Sequence, residues 1–283
     1  MRSFGFHQSI AGGYSNALLS AQKLGLTAVQ FFSRNPRSWT ARSVPEEEIA
    51  QFRQLQPTTG VLVTVIHTNY LVNIANPDKE VWQKSCRVLT EELTMARRLG
   101  VDFVVTHLGS HRGQGRETGL ARVLEAVNIA GEKVGLDIEK KPILLLENSA
   151  GAGSLVGNRF DELSAILKES CAQNCLGICI DSAHAYAEGY DIGTPPGRRV
   201  IFEQLGEYAS HIMLIHLNDS KAEMGSHRDR HQHLGKGTIG EEKLASFLHD
   251  PLLSTQPVIM ETPIDDSGRD EDNLAVFLRM DRH

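Results

Sequence analysis

Residues 143–148 read ILLLEN, and how this stretch is read decides the fold. Four consecutive aliphatic residues ending in a carboxylate suit a strand buried on both faces of a parallel sheet. Seven further runs have the same build: FGFH (4–7), AVQFFS (28–33), VLVTVIHT (61–68), FVVTHL (103–108), GICIDS (177–182), IMLIHLND (212–219) and VIMETP (258–263). Helix-like segments separate them, among them 16–25, 80–100, 121–135 and 158–170. Several of these stop at a glycine shortly before the next strand, a common way to end a helix.

Eight alternating β and α units within 283 residues predict an α/β protein, a single (β/α)8 TIM barrel over residues 1–283 with its active site at the C-terminal mouth of the strands. No linker, low-complexity segment or repeat divides the chain. A doubly wound open sheet is the alternative. It would carry a glycine-rich phosphate loop after its first strand, and HQSIAGGYSN (7–16) matches GxGxxG poorly.

With 41% hydrophobic and 23% charged residues, the composition is that of a soluble globular protein. No apolar run approaches the roughly 20 residues needed to span a bilayer, and MRSFGFHQSI lacks the long apolar segment of a secretory signal. A cytoplasmic protein with no membrane partner is expected. Cys171, Cys175 and Cys179 are spaced by four, but no CxxC pair occurs and Cys179 lies inside an apolar run; free thiols are expected. The net charge of -6 weakens a case for nucleic acid built on bulk electrostatics. Local charge differs: basic residues gather in SRNPRSWTAR (33–42), GSHRGQGRE (109–117) and SHRDRHQHLGKG (226–237), all expected as loops at the mouth.

His7, Ser33, His67, His107, Glu147, Asp181, His216 and Glu261 all fall at or near a strand's C-terminal end, which in a barrel brings them to one opening. Three His, two Glu and one Asp from six strands would bury several charges without compensation unless cations were bound. Imidazole with carboxylate oxygen suits zinc or manganese. Glu147, near the middle of the set, is a candidate to bridge two ions and to accept a proton from a bound water. HRDRHQH (227–233) allows two readings: a helix pairs His227 with His231, whereas an extended chain puts His227, Asp229, His231 and His233 on one side. In the extended form Asp229 and His231 could meet His184, three beyond Asp181, around a further ion.

Over essentially its whole length the chain resembles endonuclease IV, the metal-dependent apurinic/apyrimidinic DNA repair endonuclease. The resemblance is carried in order by AGGYSNA, RNPRSW, HTNYLVN, THLGSH, LLLENSAGAGSLVG, CIDSAHAYAEGYD, HLNDSKAEMGSHRDRHQHLGKGTIG and METP. It implies a barrel with three divalent ions, zinc or in part manganese, that hydrolyses the phosphodiester bond 5′ to an abasic site in double-stranded DNA and leaves a 3′-hydroxyl and a 5′-deoxyribose phosphate. By motif, one ion falls to His67, His107 and Glu147. A second falls to Glu147, Asp181, His216 and Glu261, and a third to His184, Asp229 and His231. Glu147 is the catalytic candidate, and Arg37, Tyr70 and Leu71 the residues expected to enter the DNA at the lesion. His227 and His233 are then neighbours or phosphate contacts rather than ligands. Departures from the family pattern are Leu108, usually Pro, and Ser182-Ala183, commonly Thr-Cys; none removes a ligand. A monomer is expected. Two rivals are a single-metal sugar isomerase or epimerase on the same barrel, and a non-catalytic binder of damaged DNA.

Overall fold

The computed structural model describes residues 2–136, 141–265 and 269–282. Its barrel strands are β1 (Phe4–His7), β2 (Ala28–Phe32), β3 (Val63–His67), β4 (Phe103–His107), β5 (Ile143–Glu147), β6 (Leu176–Asp181), β7 (Ile212–His216) and, after the short β8 (Asp219–Ser220) and β9 (His231–Gln232), β10 (Val258–Met260). The eight barrel strands pair in parallel in the order β1-β10-β7-β6-β5-β4-β3-β2 and close on themselves. A right-handed βαβ crossover needs a helix over each joint. The cover is α1 (Tyr14–Lys23), α2 (Glu46–Leu55), α3 (Lys79–Leu99), α4 (Arg116–Val134), α5 (Phe160–Glu169), α6 (Ser182–Glu188), α7 (Pro195–Leu205), α8 (Glu241–Leu248) and α9 (Asp270–Met280).

The helices begin and end where local chemistry directs. Asp78 accepts hydrogen bonds from the Glu80 and Val81 amides at the start of α3, and Gly100 ends that helix in the left-handed conformation (φ 77°). Thr194 caps α7, with Pro195 at its first position.

Alternation along the strands divides the apolar residues into two cores. Ala28, Val65, Val105, Leu145, Cys179, Leu214 and Ile259 fill the barrel interior as one layer. Their sequence neighbours Val29, Ile66, Val104, Leu144, Leu146, Ile180, Ile215 and Val258 pack outward beneath the helices. On β1 the inner layer admits only glycine, because a Cβ on Gly5 would lie 1.8 Å from the Ala28 carbonyl oxygen. Two residues further along each strand, the side chains of the next layer face the mouth. That layer is polar throughout: His7, Gln30, His67, His107, Glu147, Asp181, His216 and Glu261.

Candidate metal centre

Glu147 sits at the middle of the polar layer, fully buried. Its Oε2 lies 3.0 Å from His67 Nε2 and 3.4 Å from His107 Nδ1, and its Oε1 lies 3.1 Å from His216 Nδ1 and 3.4 Å from His184 Nδ1. His216 Nδ1 is also 3.3 Å from Glu261 Oε2. Outside this ring, Asp229 bridges two imidazoles, with Oδ2 3.2 Å from His184 Nε2 and Oδ1 3.2 Å from His231 Nε2. Donor atoms within 4.8 Å of one another form the groups His67–His107–Glu147, Glu147–Asp181–His216–Glu261, Asp181–His184–His231 and, cutting across the first two, His67–His216–Glu261. The first two have the membership read from sequence. In the third, Asp181 joins the pair that Asp229 already links.

Each position follows from the local chain. His184 lies in the first turn of α6, which starts directly after β6 because the Asp181 carboxylate caps it, accepting from the His184 amide at 2.7 Å. Asp229 and His231 ride on a long loop returned by the antiparallel β8–β9 ribbon. Buried Asp219 anchors that loop, accepting from the amides of Ser220 (2.8 Å), Gly237 (2.9 Å) and Ile239 (3.1 Å). Gly237 must lack a side chain, since a Cβ there would meet Asp219 Oδ1 at 2.3 Å.

Hydrogen bonds to the far ring nitrogens orient the imidazoles. His67 Nδ1 faces the Thr68 carbonyl (2.7 Å), His184 Nδ1 the Asn148 carbonyl (3.0 Å) and His231 Nδ1 the Glu261 carbonyl (3.2 Å). A carbonyl only accepts, so Nδ1 carries the hydrogen in all three, and Nε2 is the nitrogen available to an ion. His231 Nε2 is buried and makes no hydrogen bond; its approach to Asp229 has the distance of one but not the alignment. An orphaned imidazole nitrogen, 3.2 Å from Asp229 Oδ1 and 3.7 Å from Oδ2 of the buried Asp181, fits a divalent cation.

Without a cation, protons must supply the positive charge. Burial disfavours the imidazolium of His231, but Asp181 and Asp229 outweigh it and raise its pKa to about 9. The same balance holds His184 well above the ordinary histidine value. Burial would raise Glu147, yet His107, His216 and His184 hold it well below the usual carboxylate range.

Several residues stand elsewhere than the sequence suggested. Ser33 leaves the mouth: its hydroxyl bonds Glu92 of α3, behind the sheet. His233 is buried, with Nε2 3.1 Å from Asp265 Oδ1 and Nδ1 accepting from Asn273 Nδ2 at 2.9 Å, which excludes a phosphate contact. His227 is exposed and pairs with Glu188 at 3.0 Å. Of the basic loops, Arg34 is buried against Glu92 and Glu91, Arg42 pairs with Glu48, and Arg116 bonds Asn158 and Glu162. Arg37 is exposed and Tyr70 is 64% exposed, on adjoining loops tied by a hydrogen bond from the Tyr70 amide to the Pro36 carbonyl (3.2 Å). Leu71 is half-buried beside them. Leu108 is buried against Gly157, leaving His107 in place, and Ser182 Oγ accepts from the Asn218 amide at 2.8 Å.

Sequence reasoning missed three amides that hold the acids. Asn218 Nδ2 donates to Asp181 Oδ2 (2.6 Å) while its Oδ1 accepts from the Glu261 amide (2.8 Å). Asn148 brackets the Asp181 backbone, and Gln30 lies between His216 and Glu261. Their signal is a lone amide at or beside an inward-facing position of an apolar run. The mouth opens as a cavity of about 1010 Å³ lined by His7, Tyr70, His107, His184, Asp229 and Glu261 among others. No helix among the described residues is long and apolar enough to cross a membrane.

Residues 18–279 match the family model described as xylose isomerase-like TIM barrel. The probable endonuclease 4 of Methanosphaerula palustris is 42% identical over 283 residues, covering 99% of this chain and 98% of that protein. The crystal structure of endonuclease IV from Thermus thermophilus superposes with a TM-score of 0.86 at 39% identity, covering 98% of both chains. An L-ribulose 3-epimerase structure shares the barrel at 19% identity (TM-score 0.70, 98% of this chain and 86% of that one), a likeness of fold alone.

Proposed function

The chain belongs to the endonuclease IV family, and on that premise we propose that it is a metal-dependent DNA repair endonuclease that hydrolyses the phosphodiester bond 5′ to an abasic site. The products are a 3′-hydroxyl and a 5′-deoxyribose phosphate. The observation that carries this reading is the convergence of His, Asp and Glu side chains on one polar layer and the loop above it, with the buried His231 Nε2 left without a hydrogen bond.

Three divalent ions are proposed, zinc with manganese as a substitute. His67, His107 and Glu147 would hold one, Glu147, Asp181, His216 and Glu261 a second, and His184, Asp229 and His231 a third. Bound there, they supply Lewis acidity at phosphorus and lower the pKa of a coordinated water to near 7. The protein's own part is placement. Glu147, shared between two groups, orients the attacking water and accepts its proton. The backbone carbonyls of Thr68, Asn148 and Glu261 keep the imidazoles in one tautomer, so little reorganisation accompanies the reaction. His67, Glu147, Asp181 and His216 are buried, which keeps the floor of the site from bulk water.

Arg37, Tyr70 and Leu71 line the rim from which a duplex would be entered. A missing base makes local unstacking cheap, since extruding a nucleotide costs only a few kcal/mol and least at damage. One protomer carries the whole site, so a monomer suffices, acting in the cytoplasm where DNA is held. A sugar epimerase would need neither the exposed Arg37–Tyr70 rim nor the Asp229–His231 loop.

The test is incision of a defined abasic duplex, with metal analysis of the same preparation. Glu147→Gln is expected to abolish incision while retaining the fold. Near-normal turnover by the folded, metal-loaded variant would remove Glu147 from this role.

A further inference from the structure

We propose that Gln30 is a positioning residue of the metal centre, whose side-chain amide fixes both the tautomer of His216 and the rotation of Glu261. The inference rests on the reading of the polar layer as a metal site. Gln30 occupies the inward face of β2, two residues beyond Ala28, and is fully buried. Its Nε2 lies 2.6 Å from Glu261 Oε1 and 3.1 Å from His7 Nδ1, and its Oε1 lies 2.8 Å from His216 Nε2.

These contacts leave one orientation of the amide. An ionised carboxylate only accepts, so the NH₂ group must face Glu261 and the carbonyl must face His216. That carbonyl also only accepts, so His216 carries its hydrogen on Nε2. Its Nδ1 lone pair is thereby turned to the interior, toward Glu147 Oε1 at 3.1 Å and Glu261 Oε2 at 3.3 Å. Glu261, held through Oε1, presents Oε2 to the same point.

His216 differs here from its partners. His67, His184 and His231 each have Nδ1 on a backbone carbonyl, which substitution does not remove, and present Nε2. His216 presents Nδ1 instead, and the acceptor that dictates this is a side chain from a strand on the far side of the barrel opening. A hydrogen-bond partner of this kind on a ligating imidazole typically changes metal affinity by ~10–100-fold when removed.

The test compares wild type, Gln30→Met and Gln30→Glu by zinc titration against a chromogenic chelator, with ¹⁵N NMR of the imidazoles in the loaded protein and metal-free melting as the control of fold. Gln30→Met, similar in size and without either contact, is expected to bind one zinc ion about 10–100-fold more weakly and the others unchanged. His216 should lose its fixed Nε2–H signal while His67, His184 and His231 keep their Nδ1–H signals. Gln30→Glu keeps an acceptor for His216 but sets a second carboxylate against Glu261; it should retain the tautomer and still lose affinity. Wild-type affinity for every ion in the Met variant, with the His216 signal intact, overturns the inference. Should that variant fail to fold, unchanged affinity in Gln30→Glu overturns it equally. Wild type taking up no ion at this group would overturn the metal-site reading and the inference with it, an outcome visible before any variant is measured.

Discussion

Replacing Glu92 by Gln should destabilise the protein and loosen the loop that carries Arg37. Arg34, at the head of that loop, is buried with its Nε 2.5 Å from Glu92 Oε1, and Glu92 on α3 is fully buried. The Ser33 hydroxyl bonds the other carboxylate oxygen, and Tyr14 OH donates to the Ser33 carbonyl at 2.8 Å, so the loop base is sewn to α3 and α1. Glutamine conserves volume and some hydrogen bonding but leaves the guanidinium without its buried counter-charge. Removing one partner of a buried pair costs ~3–5 kcal/mol. Glu91 Oε2 remains 2.8 Å from Arg34 Nη1, but that side chain is 40% exposed and offsets only part. The lower end, about 3 kcal/mol, is therefore expected. At ~2–4 °C per kcal/mol for chains of 150–250 residues, this corresponds to a Tm lower by about 6–12 °C, with a 283-residue chain near the lower bound. Equilibrium urea unfolding followed by circular dichroism measures it, with abasic-duplex affinity and metal content in parallel. Affinity should fall while metal content holds, because Arg37 lies three residues beyond Arg34 and the polar layer is untouched. The double variant Arg34→Met/Glu92→Leu, which removes both charges, should recover most of the stability. A loss below about 1 kcal/mol in the single variant, or a double variant as unstable as the single, would refute the reasoning.

Three further outcomes are expected. In the ion-free protein the His231 pKa is raised to about 9 from 6.5, so its pairing with Asp181 and Asp229 stabilises fully below pH 6.5 and is lost as pH rises through about 9. Zinc must displace that proton. Affinity at the His184–Asp229–His231 group should therefore rise at least tenfold per pH unit below about pH 9, more steeply because His184, also raised, must shed its proton too, and calorimetry in buffers of different ionisation heat should show proton release at pH 7; none released at that pH would contradict it. His233→Ala should leave the metal count unchanged but lower stability by ~1–3 kcal/mol, since it removes a buried side chain that bonds both Asn273 and Asp265. By contrast His227→Ala should change neither, and His231→Ala should cost an ion on metal analysis. Arg37→Ala, at an exposed rim position, should weaken duplex binding and reduce the slope of log affinity against log salt by about 1, as a binding titration across salt concentrations would read.

The barrel was legible because eight short apolar runs alternate with helical segments, and the charged members of the polar layer because a His, Asp or Glu inside such a run has no structural reason to be there. Elements written in neutral residues were less so. Helix α6 begins immediately after β6, in CIDSAHAYAE, because Asp181 caps it, so His184 lies on a helix rather than in a loop. Asn148, Asn218 and Gln30 carry no charge, and an amide near a strand end is ordinary in any fold, so the only mark it carries is its place at or beside an inward-facing position.

Ser33 shows what the missing information was. It follows Phe32 at the end of β2 and looked equivalent to His67 or His107, yet it faces α3 while Gln30 faces the mouth. The difference is parity. Positions 28 and 30 are in phase with the interior layer, as are 65 and 67, 105 and 107, 145 and 147, 179 and 181, 214 and 216, and 259 and 261. Ser33 is out of phase. In an antiparallel sheet with one wet face, parity can be read from hydrophobic alternation, but strands buried on both faces are apolar at every position and erase it. Parity then comes from volume: the inner layer of this barrel takes glycine at position 5 and alanine at 28, while Phe4, Phe6 and Phe31 fill the roomier layer beneath the helices. On β1 and β2 the small residues thus point to the barrel axis, and two residues beyond Ala28 that parity arrives at Gln30, whereas Val65, Val105, Leu145, Leu214 and Ile259 of the same layer are as bulky as their neighbours.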